Sequence, residues 1–460
     1  MAKKKQIELT IEEKLQNALV SKEEQPYKIP NNWCWTYFKD IFYIENGYAF
    51  KKIDYKKEGI PLVRISNIEN GIVNINECIY VNKLEKNEEK YVIEKGDLLI
   101  ALSGATTGKN GVYYLDEIAY LNQRIGNIKI KNKEKVLNEY RNYYIALKNE
   151  DILNLAYGGA QPNISPKVIE FISIPLPPIK EQQRIVNRIE SLFAKLDRAK
   201  ELIENTLAQF EQNKMAILHK AFTGELTAKW RKENNIDLSS WKDVIMQDIC
   251  EKIVCGKTPT GYISKTGEIP YLKVYNIVDN KIDFNKTAQF IPNKIHKEKL
   301  KSSILKPNDI IMNIVGPPLR KIAIIPDNYP EWNMNQAIVR FRVKKDVMYK
   351  FIYYILIYPK TLDNIINKTK GVVGQANISI TQSRNIQIKL PTIEEQQEIV
   401  NILDKLLAKY NKIKNLEQQL EKIELLKKAI LAKAFRGELG TNNPDEESAE
   451  NLLKEILAEK

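Results

Sequence analysis

The sequence has little histidine and little cysteine. Its two histidines and four cysteines are His219, His296, Cys34, Cys78, Cys250 and Cys255. Cys250 and Cys255 are close in sequence, but no second cysteine or histidine pair accompanies them, so we predict no metal site. The scarcity of imidazole also argues against a histidine-based hydrolase or metalloenzyme.

The sequence also lacks long apolar runs. The longest, residues 351–358, is too short to cross a bilayer, and the first ten residues, MAKKKQIELT, contain no apolar signal region. With 43% apolar and 28% charged residues, the chain has the composition of a globular protein. We therefore predict a cytoplasmic protein with two or more domains, each with its own core.

Catalytic motifs are missing as well. GATTGK at 104–109 has three residues between its glycines, and Asn110 follows Lys109, whereas a Walker loop needs four residues and then Ser or Thr. No HExxH, GxSxG or GxGxxG motif occurs. GPPL at 316–319 lacks the polar residue and the aromatic with which an amino-methyltransferase would grip a flipped base. We predict a binding protein; the alternative is an enzyme with a cryptic active site.

What the chain does have is positive charge. Lysine and arginine total 71 against 58 acidic residues, a formal net charge of +13. That excess favours a polyanionic partner such as nucleic acid. The alternative is a lysine-rich composition with no specific partner.

A long stretch of the sequence occurs twice. Residues 175–226 recur at 390–439: the QQ pairs at 182–183 and 396–397 differ by 214, and the AF-x-GEL sequences at 221–226 and 434–439 differ by 213. Each copy opens with proline and then has no proline or glycine until GEL, which predicts one long helix per copy.

Both helices have a heptad-like apolar seam, with a stammer near Ile413 in the second. The seams are Ile189, Leu192, Leu196, Ala199, Ile203, Thr206, Phe210, Asn213 and Ile217, and Ile399, Leu403, Leu406, Tyr410, Ile413, Leu416, Leu420, Ile423 and Ile430. Such seams favour an antiparallel coiled coil about 60 Å long. The alternative is that each helix packs only on its own globule.

The segments before the helices also repeat. Residues 59–68 match 268–277 at an offset of 209, 96–104 match 308–316 at 212, and the NIS segments 163–165 and 377–379 match at 214. Short β-rich runs that are separated by turn residues predict strands in these segments. We predict an α+β fold: two similar mixed, strand-rich domains separated by two long helices, as a pseudo-twofold internal repeat. The predicted boundaries are 1–32, 33–175, 176–232, 233–390, 391–440 and 441–460.

The two globules differ in their loops. Residues 104–114 read GATTGKNGVYY, whereas the counterpart 316–325 reads GPPLRKIAII. A shared frame with different loops predicts two related tasks on two ligands. The alternative is drift in exposed loops.

The ordered double occurrence of these motifs is similar to the DNA-specificity subunit of type I restriction-modification systems. The motifs are PLPPIKEQ at 175–182, LPTIEEQQ at 390–397, the heptad helices, the AF-x-GEL ends and the NIS segments, and they extend over about residues 33–439. The resemblance implies two target recognition domains, each reading half of a bipartite, asymmetric DNA site, with helices that fix the spacing. It implies no catalysis in this chain, but two methyltransferase subunits and restriction/translocase subunits as partners. S-adenosylmethionine, ATP and Mg²⁺ are expected on those partners. A change of one helical turn should change the permitted spacer.

Loops that follow apolar strands are the candidate DNA readers, because Arg, Lys, Asn and Gln suit groove edges and Lys, Ser and Thr suit phosphates. The candidates are Ser103, Thr106, Thr107, Lys109, Asn122, Gln123, Arg124, Arg320, Lys321, Asn335, Gln336 and Lys370. The Asn-Gln pairs occur in both copies, so the alternative is that they support the fold. For Gln161 and Gln375 the alternative is that they only cap a turn. For Arg64 and Lys273 the alternative is that they are solvated residues at a strand edge.

The helix starts are the candidate partner surface. These residues are Glu181, Gln182, Gln183, Arg184, Glu395, Gln396 and Gln397. The alternative is structural, because an acid complements the dipole of a helix N-terminus. The tail, 445–460, is predicted to form a helix that packs with residues 8–20. The competing function is a stand-alone architectural DNA-binding or coiled-coil scaffold protein without methyltransferase partners.

Overall fold

The computed structural model describes residues 9–85, 88–104, 106–156, 164–369, 377–411 and 414–459. It divides into two compact units: unit 1 is Met1–Leu202 with Gln418–Lys460, and unit 2 is Ile203–Glu417. This division passes through the long helices rather than following their ends. The finer six-segment division therefore stays a prediction.

The helices carry the labels used below. They are α1 (Ile11–Ala18), α2 (Phe38–Ile41), α3 (Asn138–Leu147), α4 (Asn149–Ala156), α5 (Pro166–Ile169), α6 (Ile179–Phe222), α7 (Ala228–Glu233), α8 (Met246–Ile249), α9 (Asn293–Glu298), α10 (Tyr349–Ile357), α11 (Pro359–Thr369), α12 (Ile380–Arg384), α13 (Ile393–Asn411), α14 (Lys414–Phe435) and α15 (Ala449–Ala458).

The strands of unit 1 are short. They are β1 (Cys34–Tyr37), β2 (Phe42–Asn46), β3 (Ile60–Val63), β4 (Ile68–Glu69), β5 (Gly71–Val73), β6 (Ile79–Val81), β7 (Val92–Ile93), β8 (Leu98–Ala101), β9 (Asn110–Val112), β10 (Ala119–Leu121), β11 (Ile125–Ile130) and β12 (Ser173–Leu176).

The strands of unit 2 are also short. They are β13 (Lys242–Ile245), β14 (Cys250–Cys255), β15 (Ile269–Leu272), β16 (Ile277–Val278), β17 (Lys281–Ile282), β18 (Phe290–Ile291), β19 (Ile310–Asn313), β20 (Ile322–Ile324), β21 (Asn333–Met334), β22 (Ile338–Val343) and β23 (Gln387–Leu390).

The predicted long helices are confirmed. The first, α6, is continuous for 44 residues, and the second copy forms α13 and α14. The seam positions of α6 are mostly buried or half-buried, although Thr206 and Asn213 are exposed. The stammer near Ile413 lies outside the described residues.

The two helical copies pack antiparallel within unit 1. Lys427 of α14 forms an ion pair with Asp197 of α6 at 2.5 Å, and Lys200 pairs with Glu424 at 3.1 Å. As the number rises along α6 it falls along α14, which is the antiparallel register. The predicted helix pairing is therefore present, and its apolar end lies in the unit 1 core with Ile189, Leu431 and Phe435.

Strand order in the two units confirms the internal repeat. In unit 1 one sheet has the order β2-β11-β8-β9-β5-β4 and another β6-β3-β10-β7. In unit 2 the corresponding orders are β14-β22-β19-β20, with β16 and β17 as a separate hairpin, and β18-β15-β21. The two-stranded pairs β1-β12 and β13-β23 also correspond. Both units place one parallel pair in the smaller sheet, β10 with β3 and β21 with β15.

Helices α1 and α15, near the two ends of the chain, belong to the core of unit 1. Helix α15 packs against α1, and Leu453 and Ile456 of α15 are buried in the same cluster as Phe38 and Phe42. The predicted contact between the tail and the N-terminal segment is therefore confirmed. Among the described residues, no helix is both long and apolar enough to span a membrane.

Candidate nucleic-acid interface

One exposed edge of unit 1 is built where Tyr48 meets the turn between β10 and β11. The Tyr48 amide donates to the Leu121 carbonyl at 2.8 Å, and the Gln123 amide donates to the Tyr48 carbonyl at 3.0 Å. The Leu102 amide donates to the Arg124 carbonyl at 3.0 Å, which brings Ser103 to the same turn. We call Tyr48, Ser103, Gln123 and Arg124 edge 1.

Unit 2 contains the counterparts of two of these three backbone hydrogen bonds. The Lys257 amide donates to the Met334 carbonyl at 3.2 Å, and the Ile314 amide donates to the Ala337 carbonyl at 2.9 Å. We call Lys257, Val315, Gln336 and Ala337 edge 2. The pairing through Asn122 and Asn335 is also shared, since their amides donate to Val63 at 3.2 Å and to Leu272 at 3.0 Å.

A glycine fixes the close approach in each unit. A Cβ on Gly47 would overlap the carbonyl oxygen of Asn122, and one on Gly256 would overlap that of Asn335, both well inside 3.0 Å. Only a residue without a side chain lets the two backbones meet at this distance. The close approach involves the backbone carbonyls of Asn122 and Asn335, while the residues that follow them, Gln123 and Gln336, are exposed. That the repeated Asn-Gln pairs support the fold stays a prediction.

The two edges share most of their backbone hydrogen bonds but differ in their side chains. Tyr48 corresponds to Lys257, Arg124 to Ala337 and Ser103 to Val315, which is 44% exposed. An aromatic ring, a guanidinium and a hydroxyl in unit 1 thus correspond to an ammonium and two apolar side chains in unit 2. The two edges therefore present different chemical groups to a ligand.

Tyr48 was missed by sequence reasoning. Its ring is 40% exposed and lies edge-on to Phe50, with centroids 4.8 Å apart, and to Tyr91 at 5.2 Å. Phe50 in turn stacks on the buried Tyr120 at 5.9 Å. This column holds Tyr48 in place at edge 1. The offset of 209 between Gly47 and Gly256 was the available signal, because it aligns Tyr48 with Lys257.

The loop between β8 and β9 contains four candidate readers with unequal exposure. Thr106 is exposed, whereas Ser103 and Lys109 are half-buried. Thr107 is buried, and its hydroxyl donates to the Gly104 carbonyl at 2.6 Å, so it holds the turn. Thr106 and Lys109 thus remain available to a ligand, and Thr107 is placed inward.

The unit 2 candidates are distributed differently. Arg320 has φ +74° and pairs with Asp363 of α11, so its guanidinium is directed to the protein. The Lys321 amide donates to Asn313 Oδ1 at 2.8 Å, and its side chain is half-buried. Gln336 accepts a hydrogen bond from Thr258. Lys370, Gln161 and Gln375 lie outside the described residues.

The start of α6 faces the interior of unit 1. Glu181 and Gln182 are fully buried. Gln182 accepts from the Leu137 amide at 3.0 Å and donates to the carbonyls of Lys135 and Pro177, both at 3.1 Å. Gln182 therefore joins α6 to the start of α3. These contacts within the fold explain why the same residue type recurs in the second copy.

Glu181 is held by Arg184 of α6 and by Thr441, which follows the second GEL sequence. The Thr441 hydroxyl donates to it at 2.6 Å, and Arg184 donates to it at 2.6 Å and to Glu446 at 2.8 Å. Burial raises the pKa of Glu181, and hydrogen bonds from Thr441 and Arg184 oppose that shift. The pKa of the more accessible Glu446 is lowered, first by its hydrogen bond from Arg184.

The start of α13 repeats this arrangement in unit 2. Glu395 is fully buried and accepts from Thr227 at 2.6 Å, Arg231 at 2.5 Å and the Trp241 indole at 2.8 Å. Gln396 accepts from the Met348 amide at 2.9 Å, as Gln182 does from Leu137. In each unit the segment that follows one helix therefore anchors the start of the other.

Of the remaining helix-start candidates, Gln183 and Gln397 are exposed and Arg184 is half-buried. Gln183 donates to Asn187 at 2.9 Å and Gln397 donates to Asn401 at 2.8 Å, both along the helix surface. Their partner contacts stay a prediction. For the four buried residues, Glu181, Gln182, Glu395 and Gln396, contacts within the chain account for their recurrence.

Comparison with known proteins agrees with the duplicated architecture. Residues 30–209 and 239–425 match the family model for the type I restriction modification DNA specificity domain. The specificity subunit of the type I restriction enzyme EcoBI from Escherichia coli is 27% identical over 463 residues, covering 94% of this chain and 93% of that relative.

Two solved structures share the fold. A chain solved in work on complex assembly and conformational transition of the type I R-M system has a TM-score of 0.68 and 19% identity, covering 90% of this chain and 100% of that chain. The HsdS subunit from Thermoanaerobacter tengcongensis has a TM-score of 0.51 and 20% identity, with the same coverage.

Proposed function

The chain belongs to the type I restriction-modification DNA specificity family, and from this membership we propose that it reads the DNA sequence for a type I restriction-modification complex. Unit 1 and unit 2 each bind one half of a bipartite, asymmetric site. The proposal rests on one observation above others: edges 1 and 2 share most of their backbone hydrogen bonds but have different side chains. Two identical edges would instead read two identical half-sites.

The chemistry at the edges suits a duplex. Gln123 and Arg124 at edge 1 are exposed, and amide and guanidinium groups pair with adenine and guanine in the major groove. Lys257 at edge 2 is exposed and suits a phosphate or a guanine. The formal net charge of +13 supports attraction to the DNA backbone.

Selection from a pool of randomised duplexes by the full chain tests this function. We expect an enriched motif with two short specified segments separated by a spacer of fixed length and free sequence. Arg124→Ala should relax the motif in one segment only, while Lys257→Ala should weaken the other. Enrichment of no motif, with uniform affinity for all duplexes, would instead support an architectural DNA-binding protein.

We further propose that the chain contributes recognition and that methyl transfer, cleavage and translocation belong to partner subunits. The expected partners are two methyltransferase subunits and the restriction/translocase subunits, which would carry S-adenosylmethionine, ATP and Mg²⁺. Incubation of the purified chain with duplex DNA and labelled S-adenosylmethionine should transfer no label. Transfer that depends on this chain alone would contradict the proposal.

The helical segments are the proposed methyltransferase contact. On α14, Leu425 is 65% exposed and its neighbour Leu426 50% exposed, so two adjacent leucines face solvent on unit 1. Adjacent exposed apolar side chains are typical of interaction surfaces. The double variant Leu425→Ser, Leu426→Ser should co-purify with at least about tenfold less methyltransferase. The double variant Glu421→Ser, Lys422→Ser on the same helix is the control, and equal losses in both would argue against this surface.

A further inference from the structure

A turn beside edge 1 presents an unusual side chain to solvent. Ile53 is 82% exposed, the highest value for a large hydrophobic residue in the described part of the chain. It lies five residues after Tyr48, in a single 3-10 turn, Lys52–Asp54. Full exposure of an isoleucine gains nothing for folding, because the apolar surface stays in water.

The backbone of this turn is firmly held. The Lys51 amide donates to Asp54 Oδ2 at 2.7 Å, and the Lys56 amide donates to the Tyr80 carbonyl at 2.8 Å. Between these anchors, Tyr55 packs against the cluster of Phe50, Leu62, Val81 and Tyr120. Ile53 is therefore projected from a fixed support.

Four lysines flank Ile53 in the sequence. Lys51, Lys52, Lys56 and Lys57 are all exposed. Within the described residues, none of these four ammonium groups has an ion pair or a hydrogen bond. The turn also contains Asp54 and Glu58, which the lysines outnumber. An apolar tip between unpaired cations matches a duplex, whose stacked bases are apolar and whose two backbones are anionic.

Unit 2 repeats the arrangement with a different apolar residue. Tyr262 is 42% exposed, and the Lys299 ammonium lies 4.8 Å from the centre of its ring. The next residue, Ile263, packs on a buried cluster as Tyr55 does, and Ser264 bridges to Phe290 as Lys56 bridges to Tyr80. By these matches Tyr262 aligns with Asp54, so the exposed side chain of unit 2 lies one residue away from the position of Ile53.

We propose that the turn at 51–57 is a DNA wedge. Ile53 inserts at a base step next to the half-site read by edge 1 and partly unstacks it, while the flanking lysines contact phosphates on either side. The inference rests on the proposed function, because it requires DNA at edge 1. It adds an element that reads the deformability of the duplex rather than base edges.

The test uses the full chain and the duplex motif that it selects from a randomised pool. 2-Aminopurine is placed at each position in and around both half-sites, and its fluorescence reports unstacking. We expect one bright step beside the unit 1 half-site. In Ile53→Ser this signal should disappear and affinity should fall about tenfold. The logarithm of the binding constant falls linearly with the logarithm of the salt concentration, and each lost phosphate contact should reduce the magnitude of this slope by about 0.9. The variants to measure are Lys51→Gln, Lys52→Gln, Lys56→Gln and Lys57→Gln.

Matched controls come from the same unit. Ile118 is 46% exposed but follows Asp116 and Glu117, and Lys95 already pairs with Asp116 at 2.8 Å. Ile118→Ser and Lys95→Gln should leave the signal, affinity and slope unchanged. Thermal unfolding of all variants should match the parent, since these side chains are exposed.

Two results would overturn the inference in distinguishable ways. In the first, the parent selects a motif, but Ile53→Ser retains both the 2-aminopurine signal and the affinity. The turn is then at most a phosphate contact, so the wedge is refuted and the proposed function stands. If the parent selects no motif, the proposed function and the wedge fail together.

Discussion

At the residue scale, Glu395 shows how one carboxylate holds together distant segments of unit 2. Its three donors, Thr227, Arg231 and Trp241, lie more than 150 residues before it in the chain. Arg231 also donates to the Gly224 carbonyl at 2.5 Å, so the guanidinium joins the GEL turn to the start of α13. A buried charge with this many partners is costly to leave unpaired.

Arg231→Met should therefore destabilise the protein by about 3–5 kcal/mol, because Glu395 is left buried without its cation. Urea unfolding followed by tryptophan fluorescence would measure the change. Lys232→Met is the matched control, since Lys232 is exposed, and it should stay within about 0.5 kcal/mol. Similar losses in both variants would mean that the ion pair contributes little.

One buried tyrosine and one half-buried thiol predict a loss of stability at high pH. Burial raises the pKa of Tyr113 to about 12 and that of Cys78 to about 11. Both groups are neutral in the folded state at a pH where the unfolded chain ionises. Their contribution is complete below pH 9, the ordinary value for the thiol, and is lost as pH rises from 9 to 12.

We expect the urea midpoint to fall steadily above pH 9. Tyr113→Phe should be less stable than the parent at pH 8, because its hydroxyl no longer donates to the Glu117 carbonyl, but should lose less stability between pH 10 and 12. Comparing the two proteins at each pH cancels the shared titration of lysines. Parallel pH curves would contradict the assignment to Tyr113.

At the element scale, the terminal helices complete the core of unit 1. Leu453 is fully buried and Ile456 nearly so, while Leu425 on the neighbouring helix α14 is 65% exposed. The family match ends at residue 425, so α15 lies beyond it. The tail is nevertheless part of the folded unit, because α15 packs against α1 and α2.

Leu453→Ala should cost about 2–5 kcal/mol by opening a cavity at a fully buried position. Limited proteolysis should show cleavage in unit 1 at lower denaturant than in unit 2. Leu425→Ala removes the same atoms from an exposed site and should leave the cleavage pattern unchanged. Equal sensitivity of the two variants would show that α15 does not support the core.

At the scale of the whole molecule, the duplication allows one half to be altered while the other is left intact. Gly47 and Gly256 occupy equivalent positions, and each permits the close backbone approach behind its own edge. The two edges are otherwise built from residues of separate units. This arrangement predicts reciprocal phenotypes from equivalent substitutions.

Gly47→Ala should displace the turn behind edge 1 and weaken recognition of one half-site by about tenfold or more, and Gly256→Ala should do so for the other. Binding to duplexes with one half-site scrambled would measure this, with each variant as control for the other. Loss of both half-sites in a single variant would indicate that the units do not read DNA independently.

Much of the architecture was predictable because it depends on local patterns. The long helices follow from proline-free heptad stretches, and the matched strands β3 and β15 follow from a repeat at offset 209. The candidate site was less predictable. Thr107 and Lys109 are both polar and two residues apart, yet one is buried and the other half-buried. Nothing in the local sequence distinguishes Tyr48 from the other exposed tyrosines.

The sequence alone determined the duplication, the strand-rich units, the two helices and the family, since periodicity and repeats are written in the order of residues. Only the tertiary structure decided which of the repeated side chains face inward. Glu181 and Glu395 resemble surface acids at helix starts, but groups more than 150 residues away, Thr441 and Arg231 among them, enclose them. Burial depends on contacts between distant segments, and those contacts exist only once the chain has folded.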